Sequence, residues 1–265
     1  MKLPEKKTLS EIKKYFAKNN LKELIKNIET KNIKGDKRLS KITYGPDLQD
    51  LYRIHRMIIL NKRMSVLEYG TGWSSLVILN ALKINESKYL NKVKNFRIKK
   101  KFSLTIVDND KKYINISKQR INKILKKQTK NVSFHYSKCL MTKVNNNICS
   151  YFSNHPRINP DFIYLDGPDQ FKIKGKINNI SIADIEMMPM NSDILFYENF
   201  LVPGTIIVAD GRTANSRFLM NNFKRKWDYF YDKANDQNIF YLAEKSLGHI
   251  NDKMKFFINL SKLYN

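Results

Sequence analysis

The chain has 265 residues, 42% of them hydrophobic and 12% aromatic, which is enough apolar material for a sizeable core and excludes wholesale disorder. No apolar run approaches the ~20 residues of a membrane span, and Met1-Lys2-Leu3-Pro4-Glu5 lacks the apolar stretch of a secretory signal, so a cytoplasmic protein is expected. The formal net charge of +25 raises the question of a polyanionic partner, but the lysines are spread along the whole chain and Asn and Ile are abundant too, which reads first as compositional bias.

In chain order, residues 8–29 place Leu9, Ile12, Phe16, Leu24, Ile25 and Ile28 near one face, predicting an amphipathic helix capped by Thr8 or Ser10. A polar linker follows, so residues 1–43 form an expected N-terminal helical extension and 44–265 the main domain. Leu48, Leu51, Ile54, Ile58 and Ile59 predict a helix over 47–60, in which His55 reads as a satisfied histidine. The apolar run Met64 to Leu67 ends in Glu68 and is followed by Tyr69-Gly70-Thr71-Gly72-Trp73-Ser74-Ser75, a strand, a tight turn and a helix start. Residues 83–101 form a basic connection, the first candidate segment for holding a polyanion.

A second strand, 102–107, ends in Asp108, and a helix and a third strand at 132–136 come next. Ser137-Lys138-Cys139-Leu140 reads as a loop, and residues 148–152 as a short helix. The apolar run Phe162 to Leu165 ends in Asp166-Gly167-Pro168-Asp169, residues 184–200 read as mainly helical, and the run Thr205 to Ala209 ends in Asp210-Gly211. Residues 227–231 and 239–243 suit two further strands, and 254–263 a last helix or strand. Cys139 and Cys149 show neither a metal-ligand pattern nor a disulfide framework.

Four strands thus end in acids: Glu68, Asp108, Asp166 and Asp210. In a parallel doubly wound sheet those ends share one edge, where ligands bind. The expected fold is therefore α/β, a doubly wound Rossmann-like, mostly parallel sheet with an antiparallel C-terminal edge strand and helices on both faces.

This ordered set resembles the class I S-adenosylmethionine-dependent methyltransferases. Glu68 to Gly72 is similar to the family's glycine-rich first motif, Asp108 to its ribose-binding acid, 137–140 to its adenine-flanking loop, and 161–167 and 202–210 to its fourth-motif and fifth-strand regions. The resemblance implies S-adenosyl-L-methionine as cofactor, held by Glu68, Gly70, Thr71, Gly72, Ser74, Asp108, Cys139 and Asp166. A nicotinamide-binding fold fits less well: Trp73-Ser74-Ser75 stands where a third glycine is expected, and Asp108 is too far downstream.

Asp166-Gly167-Pro168-Asp169 lacks the Pro-Pro-aromatic pattern of the DNA-amine enzymes and looks more like the small-molecule O-methyltransferases. That likeness implies a hydroxylated metabolite or sugar as acceptor and Asp166, Asp169 and Asp210 as catalytic candidates. It also implies a Mg²⁺ ion on Asp166, Asp210 and Asn215. Asp169 departs from the lysine of the catechol group, and Ala209 and Gly211 flank a lone acid where the sugar enzymes have two. The alternatives carried forward are RNA or protein methylation, and a catalytically inactive methyltransferase fold acting as a basic nucleic-acid-binding module. The N-terminal helix is expected to pack on the core or form an interface rather than cover the site, and a homodimer is carried as one outcome.

Overall fold

A computed structural model describes residues 1–28, 45–125 and 130–259, the last five of these by backbone only. The polar linker and the residues after 259 lie outside this set. Helix α1 (Leu9–Lys18) begins with a reciprocal capping box between Thr8 and Glu11. The expected long helix stops there. Asn20 takes a left-handed conformation (φ 60°), a role usually filled by glycine, and the chain restarts as α2 (Lys22–Lys26). Ile12, Phe16, Leu21 and Leu24 are buried in the same core as the helices that follow.

The sheet holds seven strands in the order β3-β2-β1-β6-β7-β9-β8. They are β1 (Ser65–Tyr69), β2 (Ser103–Asp108), β3 (Val132–Tyr136), β6 (Phe162–Leu165), β7 (Ile206–Asp210), β8 (Trp227–Asp232) and β9 (Gln237–Leu242). The first five are mutually parallel, while β9 runs antiparallel to both β7 and β8, giving the antiparallel C-terminal edge expected of the chain. The strand order reverses between β1 and β6, which makes that junction the topological switch point.

Side chains alternate across the sheet. Val66, Leu104, Ile106, Phe162, Ile206 and Val208 face α3 (Leu48–Leu60) and α4 (Trp73–Tyr89), with α5 (Lys111–Leu125) beside them. Leu67, Tyr69, Val107, Ile163, Ile207 and Ala209 face the other way, toward Ile194 of α6 (Asp193–Tyr197) and Leu219 of α7 (Thr213–Asn222). Helix α4 is buried on nearly every side from Ser74 to Leu82, as its unbroken apolar run requires.

Two expectations are corrected here. Residues 137–152 do not form a loop and a helix but an antiparallel hairpin, β4 (Cys139–Val144) with β5 (Asn147–Phe152). Its turn is Asn145-Asn146, both at positive φ (48° and 64°), the geometry whose twist matches paired strands. Of residues 184–200 only the second half is helical, as α6 and the 3-10 turn Glu198–Phe200 that continues it; Pro189 and the hydrogen bonds of Asn191 to Asp193 keep 184–192 open before it. The tail expectation resolves as helix α8 (His249–Asn259).

Candidate active site

Two glycines bring the switch point together. Gly70 turns the chain out of β1 at φ +86° and donates its N–H to Val107 O at 2.9 Å. Gly167 lies against it: a Cβ on Gly167 would fall 2.4 Å from Gly70 N and 2.6 Å from Gly70 Cα. Asp166 N donates to Tyr69 O at 3.0 Å, so the ends of β1 and β6 are held in register up to their last residue.

Above this contact opens a cavity of about 190 Å³, walled by Thr71, Gly72, Trp73 and Ser74 from the β1–α4 turn. Asp166 and Asp210 enter from the ends of β6 and β7, Tyr164 from within β6, and Tyr113, Ile116 and Arg120 from α5. Asp47 and Asp50, at the start of α3, complete the far side. Nothing in the local sequence marked those two as site residues; only the packing of α3 onto the sheet brings them there. Arg53 of α3 makes that packing specific, with an ion pair to Asp232 at 2.5 Å and a bond from its Nε to Gln237 Oε1 at 2.8 Å.

The cavity is acidic inside a basic protein. Burial, then the nearby carboxylates of Asp210, Asp47 and Asp166, push Asp50 up to about 8. Asp166 is open to solvent on one side, but surrounding protein and Asp210 still raise it to about 7. Asp210 is raised as well by burial, against the hydroxyl of Tyr164, which donates to its Oδ2 at 2.7 Å. Arg120 stacks over the Trp73 ring at 3.8 Å from the centroid, and burial lowers it to about 10.

Of the residues expected at the site, Thr71, Gly72, Ser74, Asp166 and Asp210 line the cavity. Three others stand one step back. Glu68 is fully buried, and Ser74 Oγ and Ser75 Oγ donate to its two oxygens at 2.5 and 2.6 Å. It thus shapes the start of α4, and burial raises it to about 8. Asp108 accepts from the N–H of Asp110 at 2.7 Å and from that of Thr71, so it ties the glycine turn to the end of β2. Gly70 is the close contact already described.

The remaining expected residues do not reach the cavity. Cys139 is buried in the hairpin against the second core, where burial pushes its thiol up to about 12. Asp169 caps the turn Gln170–Lys172, accepting from Phe171 N at 3.0 Å, and Lys172 is taken up by an ion pair with Asp110. Asn215 is buried with its amide spent on both backbone groups of Asn191, at 3.0 Å each. The proposed metal trio therefore does not assemble, and among the described residues no three His, Cys, Asp or Glu side chains are placed to hold an ion. His55 and His155 are satisfied core histidines, bonded to Tyr15 and Asn80 and to Tyr69 and the Pro156 carbonyl.

Sequence reasoning missed Asp47, Asp50, Tyr164, Trp73, Arg120 and Arg212. Arg212 follows β7 and donates from Nη2 to Asp166 O and Pro168 O at 3.0 and 2.7 Å, fixing the turn after β6. Its place directly after Asp210-Gly211 was the one available signal.

No protein-family model matches the chain. No curated protein matches it either. Among solved structures, an O-methyltransferase from Bacillus cereus in complex with SAH is similar at 12% identity and a TM-score of 0.40, covering 91% of this chain and 92% of that one. The O-methyltransferase TomG from Streptomyces achromogenes, in complex with SAM, gives 12% identity, a TM-score of 0.41 and the same coverage. Cofactor-bound Rv0187 from MTB gives 8% identity, a TM-score of 0.46, and covers 91% of this chain and 100% of that one. At these scores the likenesses carry no weight for function.

Proposed function

We propose that the chain is an S-adenosylmethionine-dependent methyltransferase acting on a small hydroxylated acceptor. The observation that carries this reading is the convergence, on one cavity at the switch point, of the glycine turn after β1 with the carboxylates ending β6 and β7. Gly72 supports it independently. Its backbone is extended (φ −168°), so no strain demands glycine there, and a Cβ would meet nothing nearer than Ser74 Oγ at 3.7 Å. Gly72 lines the cavity and the space a side chain would take is left free, as a ligand approaching the backbone requires.

S-adenosylmethionine supplies an electrophilic methyl group on a cationic sulfur. The chain's own residues do the rest. The first turn of α4 presents free N–H groups to the carboxylate of the bound molecule. Trp73, with Arg120 stacked on it, offers a flat wall beside Ile116. Asp47, Asp50, Asp166 and Asp210 favour a cation in the cavity and disfavour a phosphate backbone, so a polyanionic acceptor such as RNA is the weaker reading. Asp166, with a pKa near neutrality, is suited to take a proton from an acceptor hydroxyl, and alignment of the two substrates supplies most of the acceleration. The donor set does not build a metal site, and no step is routed through one.

The test is calorimetric titration of S-adenosylmethionine into the protein. One saturable site is expected, and its absence from the wild-type protein would sink the proposal. With an acceptor in hand, the turnover rate should rise through about pH 7 and lose that rise in Asp166→Asn.

A further inference from the structure

A larger cavity lies away from this site, and its chemistry is different. The crossover from β3 to β6 is made by the β4–β5 hairpin, where a doubly wound fold ordinarily places a helix. The hairpin covers Tyr69 and its neighbours at the carboxyl end of the second sheet face; Tyr69 stacks on Phe152. The opposite end of that same face is left to small polar residues. Ser65 pairs in register with Ser103, Thr105 with Ser133 and Val107 with His135, so these side chains share one surface. Ser65, Ser103, Thr105, Ser133 and His135 floor a cavity of about 950 Å³, near the upper end of the range for small-molecule sites.

Its rim is cationic. Arg97, Lys99 and Lys100 come from the basic connection after α4, and Arg157 from the segment before β6. All four are exposed, and none forms an ion pair among the described residues. The rim is tied to the floor by Ser103 Oγ, which donates to Lys100 O at 2.9 Å. The one carboxylate in the lining, Asp161, is already committed to the N–H groups of Met64 and Ser65. The third wall is α8, where Asn251 is 6% exposed. Its Oδ1 accepts from Leu247 N at 2.8 Å, while its Nδ2 is buried with no partner among the described residues. A buried donor without an acceptor is costly.

We propose that this cavity is a second ligand site, which takes a phosphorylated small molecule of up to nucleotide size. The phosphate sits at the Arg97–Lys100 and Arg157 rim, and the body of the molecule lies on the hydroxyl floor under α8. Guanidinium forks, hydroxyls and an amide N–H₂ all donate to phosphate oxygens, and no open carboxylate competes for them. The apolar side chains of Ile98, Ile158 and Met254 give the uncharged part a dry surface. The inference does not depend on the methyltransferase reading.

The experiment titrates uridine 5′-monophosphate, with uridine in parallel, into the full chain at about 150 mM salt, where diffuse surface charge is screened. One saturable nucleotide site is expected, with uridine binding at least about tenfold more weakly. Arg157→Glu combined with Lys100→Glu, both exposed, should weaken the nucleotide at least about tenfold, and so should Ser133→Phe, which fills the floor without changing charge. Binding should persist in Gly72→Val, which closes the first cavity. Binding that survives both sets of changes, that disappears in Gly72→Val, or that is multiple and non-saturating would overturn the proposal, as would no binding to the wild-type protein.

Discussion

Replacing Gly167 by alanine should damage the fold through a single added methyl. The new Cβ would lie 2.4 Å from Gly70 N, 2.6 Å from Gly70 Cα and 2.8 Å from Tyr69 C, all of them backbone atoms at the end of central strand β1 and the turn that leaves it. No rotamer can relieve that overlap, so the ends of β1 and β6 must move apart by roughly 1 Å to restore ordinary contact. Overpacking of this kind costs about 1–3 kcal/mol, here toward the upper end, and loss of the Asp166 N to Tyr69 O bond adds about 1 kcal/mol. At roughly 2–4 °C per kcal/mol for a chain of this size, the melting temperature should fall by about 6–16 °C. Gly175→Ala is the control: it too has a positive φ (+91°), but a Cβ there meets only Met141 Cβ, at 3.9 Å. Its cost is left-handed strain alone, about 1–2 kcal/mol. Thermal unfolding followed by circular dichroism compares the two directly. If Gly167→Ala melts no lower than Gly175→Ala, the close backbone contact at the switch point is not what holds those strand ends.

Two further substitutions probe the cavity. Gly72→Val should leave the melting temperature within about 4 °C of wild type, since only an N-cap preference is lost, yet weaken S-adenosylmethionine at least about tenfold in calorimetry. Asp50→Asn should stabilise the protein increasingly with pH. The folded-state pKa of Asp50 is raised to about 8, so the stability of its neutral form is complete below the ordinary aspartate range and is lost as pH climbs through 8. A permanently neutral amide escapes that loss, and the gap in melting temperature over wild type should widen by on the order of 5 °C between pH 5 and pH 8.5. A gap that is flat or narrowing with pH would show that Asp50 is already ionised at neutrality.

The strand-end acids were legible because each stands at or next to the end of a largely apolar run, where a buried parallel strand gives way to the edge that binds ligands. Glu68, Asp108, Asp166 and Asp210 all fall where those runs placed them. What each acid does there was less legible. Glu68 and Asp108 spend their oxygens on the protein's own serines and backbone, a fact of tertiary distance that spacing along the chain does not encode. The hairpin at 139–152 was missed because apolar and polar residues do not alternate cleanly along either strand (Cys139-Leu140-Met141 is an apolar run, followed by Thr142-Lys143), so the period-two signal is weak; the Asn145-Asn146 pair was the available turn marker. Asp47 and Asp50 were invisible for a third reason: they act from a helix upstream of the first strand, across a contact made with the last two strands.

That last contact divides the cavity by origin. The wall around the glycine turn is set by β1, β2 and β6, neighbours at the centre of the sheet. The wall carrying Asp47 and Asp50 is set by α3, which Arg53 fastens to Asp232 and Gln237 at the sheet's far margin. Substitutions near residue 232 would therefore shift one wall relative to the other without touching either lining. Variation that reshapes the cavity can thus lie on a peripheral hairpin nearly 200 residues from the acids it moves, while the glycine turn and its neighbours stay unchanged.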